Sequence, residues 1–178
     1  MAPEHTDPTA SPAGSAAPWI LRCADEDQTR ALGRALGQVA PPGLVVALVG
    51  DLGAGKTCLA QGAGEGLGVA GPVVSPTFVL VAEHDGPRPL LHADLYRLEV
   101  GELAAIGLEE ALEGWPGLAL VEWADRFPEV LPPDHLRVCL HLESGGRRVE
   151  VTAHGPRAAQ ALTAWRRAAA PPGHEGPA

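Results

Sequence analysis

The chain contains 178 residues, of which 46% are hydrophobic and 20% are charged, enough for one folded domain with a core and too few for two ordinary domains. The formal net charge of −9 provides no overall basic surface for a phosphate backbone and argues against a stand-alone nucleic-acid-binding protein. Cys23, Cys58 and Cys139 lie far apart in the sequence, which indicates neither a disulfide framework nor a zinc site and is typical of a reducing compartment.

The two ends of the sequence differ in composition from its middle. Residues 1–17 and 169–178 are rich in Ala, Pro and Gly and offer little apolar surface to offset the entropy of ordering them, so we predict disordered tails around a domain of residues 18–168. The N-terminal sequence lacks the basic residues and following apolar segment of a signal peptide. No apolar run approaches the roughly 18 residues of a membrane span. We therefore expect a cytoplasmic protein that does not associate with membranes.

The first part of the domain is predicted to alternate strands and helices. Trp19–Cys23 has the pattern of a short strand, and the acidic residues 25–27 then open a helix, because carboxylates suit the positive end of its dipole. Residues 41–43, Pro-Pro-Gly, end this helix. Leu44–Val49 is an unbroken apolar run, typical of a strand buried on both faces of a parallel sheet. A Gly-rich loop and a helix starting near Lys56 follow directly.

The next segments predict a hairpin and an interrupted helix. Residues 78–84 and 89–95 are expected to form two antiparallel strands joined by a turn that contains Gly and Pro. Residues 99–112 have a helical pattern, but Gly101 and Gly107 interrupt it. We therefore predict one broken helix there.

The last segments complete an α/β pattern. Residues 118–121 form another apolar strand, residues 136–142 and 147–153 a second hairpin, and residues 156–168 a closing helix. The whole pattern predicts one α/β domain with a mostly parallel central sheet, antiparallel additions and helices on both faces.

A phosphate-binding loop lies between the apolar strand and the following helix. Residues 50–57, Gly-Asp-Leu-Gly-Ala-Gly-Lys-Thr, match G-x-x-x-x-G-K-[ST] at every fixed position. Backbone N–H groups of such a loop and the helix dipole both point at one anion. The fold class is therefore predicted to be a P-loop NTPase. The predicted nucleotide-binding residues of the loop are Gly50, Asp51, Leu52, Gly53, Ala54, Gly55, Lys56 and Thr57.

Lys56 and Thr57 have the most specific roles in this prediction. Lys56 should reach the β- and γ-phosphates, and the Thr57 hydroxyl should bind Mg²⁺. Lys56 is the only lysine among the 13 lysine and arginine residues of the chain. A compact ammonium suits the narrow loop, where a planar guanidinium would be too wide.

Further groups must anchor the metal and position the attacking water. Glu122, at the end of an apolar strand, is the favoured second magnesium ligand, and an ordinary strand-end acid is the alternative. Asp94 ends another apolar strand and would bind magnesium through water or orient the nucleophile. Thr77, in a Ser-Pro-Thr segment, would act as a switch-loop hydroxyl, with simple turn chemistry as its alternative. We interpret His92 as a core or hydrogen-bonded histidine rather than a base.

These motifs together resemble the TsaE (YjeE) family of bacterial ATPases. They are GDLGAGKT at residues 50–57, SPTFVLVAEH at 75–84, HADLYRL at 92–98 and VEW at 121–123, and the likeness covers about residues 20–155. The resemblance implies a role in forming threonylcarbamoyladenosine in tRNAs that read codons starting with adenine. It also implies ATP and Mg²⁺ as cofactors, the TsaD and TsaB subunits as partners, and tRNA contacted only indirectly.

The resemblance also implies roles for individual residues. Thr57 and Glu122 would bind magnesium, and Asp94 would support the metal or hydrolysis. Glu26 and Arg147 fall where relatives contact the nucleotide. The catalytic residues expected on this basis are Lys56, Thr77, Asp94 and Glu122.

Three other functions are compatible with a phosphate-binding loop. A small-molecule kinase usually needs an arginine-containing lid, for which the chain after Thr57 has little room. A GTP-dependent switch usually reads guanine with N-K-x-D, a motif that a chain with Lys56 as its sole lysine cannot contain. A catalytically silent interaction module would not depend on Lys56.

Overall fold

The computed structural model describes residues 17–76, 80–99 and 101–170. Within these residues the strands are β1 (Trp19–Cys23), β2 (Leu44–Val49), β3 (Val81–His84), β4 (Leu90–Asp94), β5 (Leu118–Glu122), β6 (His135–Glu143) and β7 (Gly146–His154). The α-helices are α1 (Glu26–Val39), α2 (Lys56–Leu67), α3 (Leu108–Leu112) and α4 (Pro156–Ala169). Short 3₁₀-helices span Leu103–Ile106, Ala124–Arg126 and Pro128–Val130.

All of the described strands belong to one sheet, with the order β1-β7-β6-β2-β5-β4-β3. β2 pairs in parallel with β5 and β6, and β4 pairs in parallel with β5. Antiparallel pairs join β6, β7 and β1 on one side and β4 and β3 on the other. The carboxyl ends of β2, β5 and β4 therefore meet at one end of the sheet, where ligands of such folds bind. The predicted, mostly parallel sheet with antiparallel additions is confirmed.

Both faces of the sheet are covered by helices, as predicted. Val46 and Leu48 of β2 pack into a core that contains residues of α1, α2 and α4. Val45 and Ala47 pack into a second core with residues of α3 and the 3₁₀-helices. Successive side chains of a strand point to opposite faces, so a strand buried on both faces must be apolar throughout.

Helices α1 and α2 lie side by side at very short backbone separation. A Cβ atom on Gly33 would lie 2.1 Å from the carbonyl oxygen of Leu59, and one on Gly62 would lie 2.0 Å from the carbonyl oxygen of Arg30. A second glycine on each helix repeats this arrangement one turn along. The close contact holds the start of α1 against the helix that follows the phosphate-binding loop.

The first hairpin is shorter than the sequence predicted. β3 begins at Val81, and Leu80 has a φ of 68°, in the left-handed region outside extended structure. The prediction of a strand at Leu80 is therefore wrong, and residues 78 and 79 lie outside the described residues. β4 ends at Asp94, so that carboxylate belongs to the strand itself.

Among the remaining boundaries, the largest difference is at the broken helix predicted over residues 99–112. It begins at Leu103, four residues later than predicted, and consists of a 3₁₀-helix and α3 separated at Gly107, which has a φ of 63°. Residue 100 lies outside the described residues. α4 extends to Ala169, one residue into the predicted C-terminal tail. Apart from residues 17, 169 and 170, the predicted tails lie outside the described residues. Within the described part of the chain, no helix is long and apolar enough to cross a membrane.

Candidate nucleotide-binding site

The loop between β2 and α2 has a backbone path that requires glycine. Gly50 has a φ of 144° and Gly55 a φ of 106°, which residues with a Cβ atom rarely adopt. At Gly50 such an atom would also lie 2.3 Å from the carbonyl oxygen of Leu140. The amide of Ala54 donates to the carbonyl of Asp51 at 3.1 Å and closes the loop.

Helix α2 begins at Lys56, directly after this loop. The first N–H groups of a helix have no acceptor within the helix and form its positive end. Ala54 is fully buried beneath the loop, whereas Leu52 is 71% exposed at its tip. The loop can therefore surround an anion with backbone amides, as the sequence motif predicts.

The Lys56 side chain is buried and turned back onto its own loop. Nζ donates to the carbonyl oxygens of Gly50 at 2.6 Å and Asp51 at 2.8 Å, and it lies 3.8 Å from the ring centroid of Trp123. Burial lowers the pKa of Lys56 from its ordinary value, and the nearby carboxylates, above all Glu122, oppose that shift. The ammonium group therefore lies inside the site.

Thr57 and Glu122 are in direct contact across the end of the sheet. The Thr57 hydroxyl lies 2.9 Å from Oε1 and 3.2 Å from Oε2 of Glu122, and Glu122 is only 2% exposed. In the sheet register, Glu122 pairs with Leu48 on one side and Asp94 on the other. The two expected metal-binding side chains are therefore adjacent.

Glu122 has a second partner, His92, which is fully buried in β4. Nε2 of His92 lies 2.8 Å from Oε1 of Glu122. The interpretation of His92 as a hydrogen-bonded core histidine is confirmed. The sequence alone could not identify its partner, because that requires the register between β4 and β5.

Asp94 lies beside Glu122 and is held at both oxygens. Oδ2 accepts a hydrogen bond from the Ser75 hydroxyl at 2.6 Å, and Oδ1 accepts one from the Tyr96 amide at 3.0 Å. Asp94 is 4% exposed. Thr77, the remaining expected catalytic residue, lies outside the described residues.

The loop after β4 and the residue after β5 form an aromatic wall. The rings of Tyr96 and Trp123 lie 4.8 Å apart between centroids, and Trp123 has a φ of 59°. The Arg126 guanidinium donates to the carbonyl oxygens of Leu95 at 2.9 Å and Leu98 at 3.0 Å. These bonds fix the loop that carries Tyr96 next to the site.

Arg147 approaches the phosphate-binding loop from β7. Its Nη1 donates to the Thr29 hydroxyl of α1 at 2.9 Å, and a Cβ on Gly55 would lie 3.2 Å from its Nε. That Nε is buried and has no hydrogen-bond partner among the described residues. A buried donor of this kind normally has a partner, which suits a position beside an anionic ligand.

A cavity of about 520 Å³ brings most of these groups together. This volume falls within the usual range for small-molecule sites, about 300–1,000 Å³. The predicted residues that line it are Glu26, Leu52, Gly53, Gly55, Lys56, Thr57, Asp94 and Glu122. The predicted residues that do not line it are Gly50, Asp51, Ala54 and Arg147.

Five further residues line the cavity and were not predicted as site residues: Cys58, Ser75, Tyr96, Arg97 and Trp123. Each is close in sequence to a residue that was predicted. Proximity along the chain is the signal that could have identified them, because loops at the carboxyl ends of strands surround the ligand in this type of sheet.

The oxygen donors at the end of the sheet suit magnesium. A hydroxyl and carboxylates are the hard ligands that Mg²⁺ takes, and it usually completes its shell with water and substrate phosphates. Among the described residues, no group of three or more His, Cys, Asp or Glu side chains is arranged to hold a metal ion by itself. Thr57, Glu122 and Asp94 therefore fit a metal that also binds phosphate.

Comparison with known proteins identifies one family. Residues 23–149 match the family model described as threonylcarbamoyl adenosine biosynthesis protein TsaE. The chain is 45% identical over 134 residues to a TsaE protein of Nostoc sp., an alignment that covers 72% of this chain and 82% of that protein. It is 41% identical over 138 residues to TsaE of Bacillus subtilis, covering 76% and 86% of the two chains.

A solved structure is similar over most of the chain. The crystal structure of YdiB of Bacillus subtilis superposes with a TM-score of 0.74 at 31% sequence identity. The match covers 88% of this chain and 98% of YdiB. The P-loop α/β fold is therefore shared with a protein of known structure.

Proposed function

The chain belongs to the TsaE family of tRNA threonylcarbamoyladenosine biosynthesis proteins, and from that premise we propose that it is a magnesium-dependent ATPase that supports this modification. The observation that carries the proposal is the meeting of Lys56, Thr57, Glu122 and Asp94 in one cavity of about 520 Å³. That set supplies a cation for phosphates and oxygen ligands for a divalent ion.

The phosphate-binding loop holds the triphosphate of ATP in this proposal. Backbone amides at the start of α2 would bind the phosphate oxygens, and Lys56 would reach the β- and γ-phosphates. Glu26 and Arg147 lie on the α1 side of the loop and contact the nucleotide there. The Nε atom of Arg147 is buried without a hydrogen-bond partner among the described residues. This supports a contact between Arg147 and the nucleotide.

Thr57, Glu122 and Asp94 hold the metal and the nucleophile. Thr57 and Glu122 would hold Mg²⁺, which would neutralise charge on the phosphates. Asp94 would orient the attacking water or bind the metal through water, and Thr77 would contribute its hydroxyl to the γ-phosphate. The buried position of both carboxylates strengthens their electrostatic effect on the reacting phosphates.

The ATPase acts with the TsaD and TsaB subunits in the cytoplasm and contacts tRNA only through them. A net charge of −9 supports an indirect contact with tRNA, because a protein with that charge has little attraction for a nucleic-acid backbone. In this proposal, ATP hydrolysis changes the conformation of the complex with TsaD and TsaB and so resets it between turnovers.

The test is reconstitution of tRNA modification from purified TsaD and TsaB, with this protein, without it, or with its Glu122→Ala variant. We expect multiple turnovers only with the wild-type protein, because Glu122 is the buried metal ligand. Glu110→Gln, a change at an exposed carboxylate of α3, is the control and should behave as wild type. Equal product with and without the protein would refute the proposal, and phosphate transfer to a small molecule would favour a kinase.

A further inference from the structure

His92 is the most deeply buried polar side chain near the metal ligands. It has no exposed surface and alternates along β4 with Leu91 and Ala93 of the opposite core. Burying an imidazole among aliphatic residues is unfavourable unless its polar atoms have partners. Burying an aliphatic side chain at this position would cost less free energy than burying an imidazole. The hydrogen bond between His92 and Glu122 therefore points to a role for the imidazole.

The contacts of the imidazole determine which nitrogen carries the proton. Nε2 faces a carboxylate oxygen of Glu122 at 2.8 Å, and an ionised carboxylate only accepts hydrogen bonds. Nδ1 is buried without a partner among the described residues. The proton therefore lies on Nε2, and His92 donates to Glu122.

This bond restricts a side chain that otherwise has several rotamers. Oε1 of Glu122 accepts from both His92 and the Thr57 hydroxyl. One contact comes from the neighbouring strand and the other from helix α2, so the carboxylate is fixed from two sides. Carboxylates that bind metals are commonly oriented by such outer hydrogen bonds, and losing one typically lowers metal affinity about 10- to 100-fold.

We propose that His92 is a positioning residue that fixes the Glu122 carboxylate for binding a divalent cation beside Thr57. This role rests on the proposed function, because it requires that Glu122 bind the metal. His92 is not among the residues that line the cavity, so it would act through Glu122. Its effect should appear in metal affinity and not in the affinity for nucleotide alone.

The experiment measures Mn²⁺ binding by electron paramagnetic resonance in the presence of ADP, and ADP binding separately in EDTA. His92→Leu removes the donor and should weaken Mn²⁺ binding about 10- to 100-fold while leaving ADP binding in EDTA unchanged. His92→Gln places an amide N–H near the position of Nε2 and should remain within a few-fold of wild type. His92→Asn is too short to reach Glu122 and should resemble His92→Leu.

His84 provides the matched control. It lies on β3, the strand that pairs with β4, and its Nε2 is also buried without a partner in the described part of the chain. His84→Gln should therefore leave Mn²⁺ affinity unchanged. An equal loss in this variant would overturn the specific role of His92.

The outcomes separate this inference from the proposed function. If wild-type protein binds Mn²⁺ with ADP and folded His92→Leu binds it equally well, the positioning role is wrong and the ATPase proposal stands. If His92→Leu does not fold, the comparison of His92→Gln with His92→Asn decides, and equal affinities would overturn the role. Wild-type protein that binds no nucleotide would overturn the proposed function and this role with it.

Discussion

At the scale of single residues, the site places the buried ammonium of Lys56 beside two buried carboxylates. Lys56 is 4% exposed, Asp94 4% and Glu122 2%. Burying an isolated charge is strongly unfavourable, so each of these groups depends on the others and on its hydrogen bonds. The site is therefore a single electrostatic unit, and changing one member alters the environment of the rest.

Away from the site, His135 should make stability depend on pH. Burial lowers the pKa of His135 below its ordinary value of 6.5. As the pH falls, the His135 imidazole is therefore protonated in the unfolded chain before it is protonated in the folded protein. Stability should therefore decrease as the pH falls from the ordinary histidine pKa toward the lower pKa of the folded state. Thermal unfolding of His135→Gln between pH 7 and 5, roughly the range that brackets an ordinary histidine, should show a flatter dependence than wild type.

His141 is the control for this measurement. It lies on the same strand, β6, and is exposed, so His141→Gln should leave the pH dependence as steep as in wild type. A curve for His135→Gln that matched wild type would show that His135 contributes nothing to acid sensitivity.

At the scale of elements, the contact between α1 and α2 depends on glycines that face backbone atoms. Gly33 and Gly62 approach carbonyl oxygens of the opposite helix, so neither helix can rotate or shift without losing the contact. α1 carries Glu26 and Thr29, and α2 carries Lys56 and Thr57. The packing of the two helices therefore sets the distance between the two sides of the candidate nucleotide-binding site.

Gly33→Ala should destabilise the protein because the new methyl group would meet the backbone of Leu59 at 2.1 Å. Overpacking of this kind costs about 1–3 kcal/mol or more when the backbone must move. The measurement is the free energy of unfolding in denaturant. Gln38→Ala, a change at an exposed side chain of the same helix, is the control and should lose little stability. An equal loss in both variants would contradict the explanation.

The sequence predicted the elements whose signals are local. The apolar run of β2, the glycine motif and the start of α2 are adjacent in sequence, so their positions and relation follow directly. The prediction of a strand at Leu80 was wrong because its φ of 68° cannot be recognised from the apolar sequence around it. The contact of His92 with Glu122 could not be predicted, because it depends on a strand register between residues that are 30 positions apart.

At the scale of the whole molecule, three strands that are distant in sequence end at one place. The motif after β2 indicated the phosphate-binding loop, but only the order β2-β5-β4 brings Glu122 and Asp94 beside it. The described sheet thus joins one contiguous motif to two separate carboxylates. This arrangement is the physical basis for the proposed binding of ATP with magnesium.

Calorimetric titration with a non-hydrolysable ATP analogue and Mg²⁺ tests that claim most directly. We expect saturable binding by wild-type protein, no competition from GTP, and a loss of at least about tenfold in Lys56→Arg, because a planar guanidinium cannot replace the ammonium in the loop. Arg88→Lys, a change at a side chain that contacts the carbonyls of Gln38 and Gly66, should leave binding intact. Wild-type protein that fails to bind the analogue with magnesium, or Lys56→Arg that binds it as well as wild type, would contradict the account.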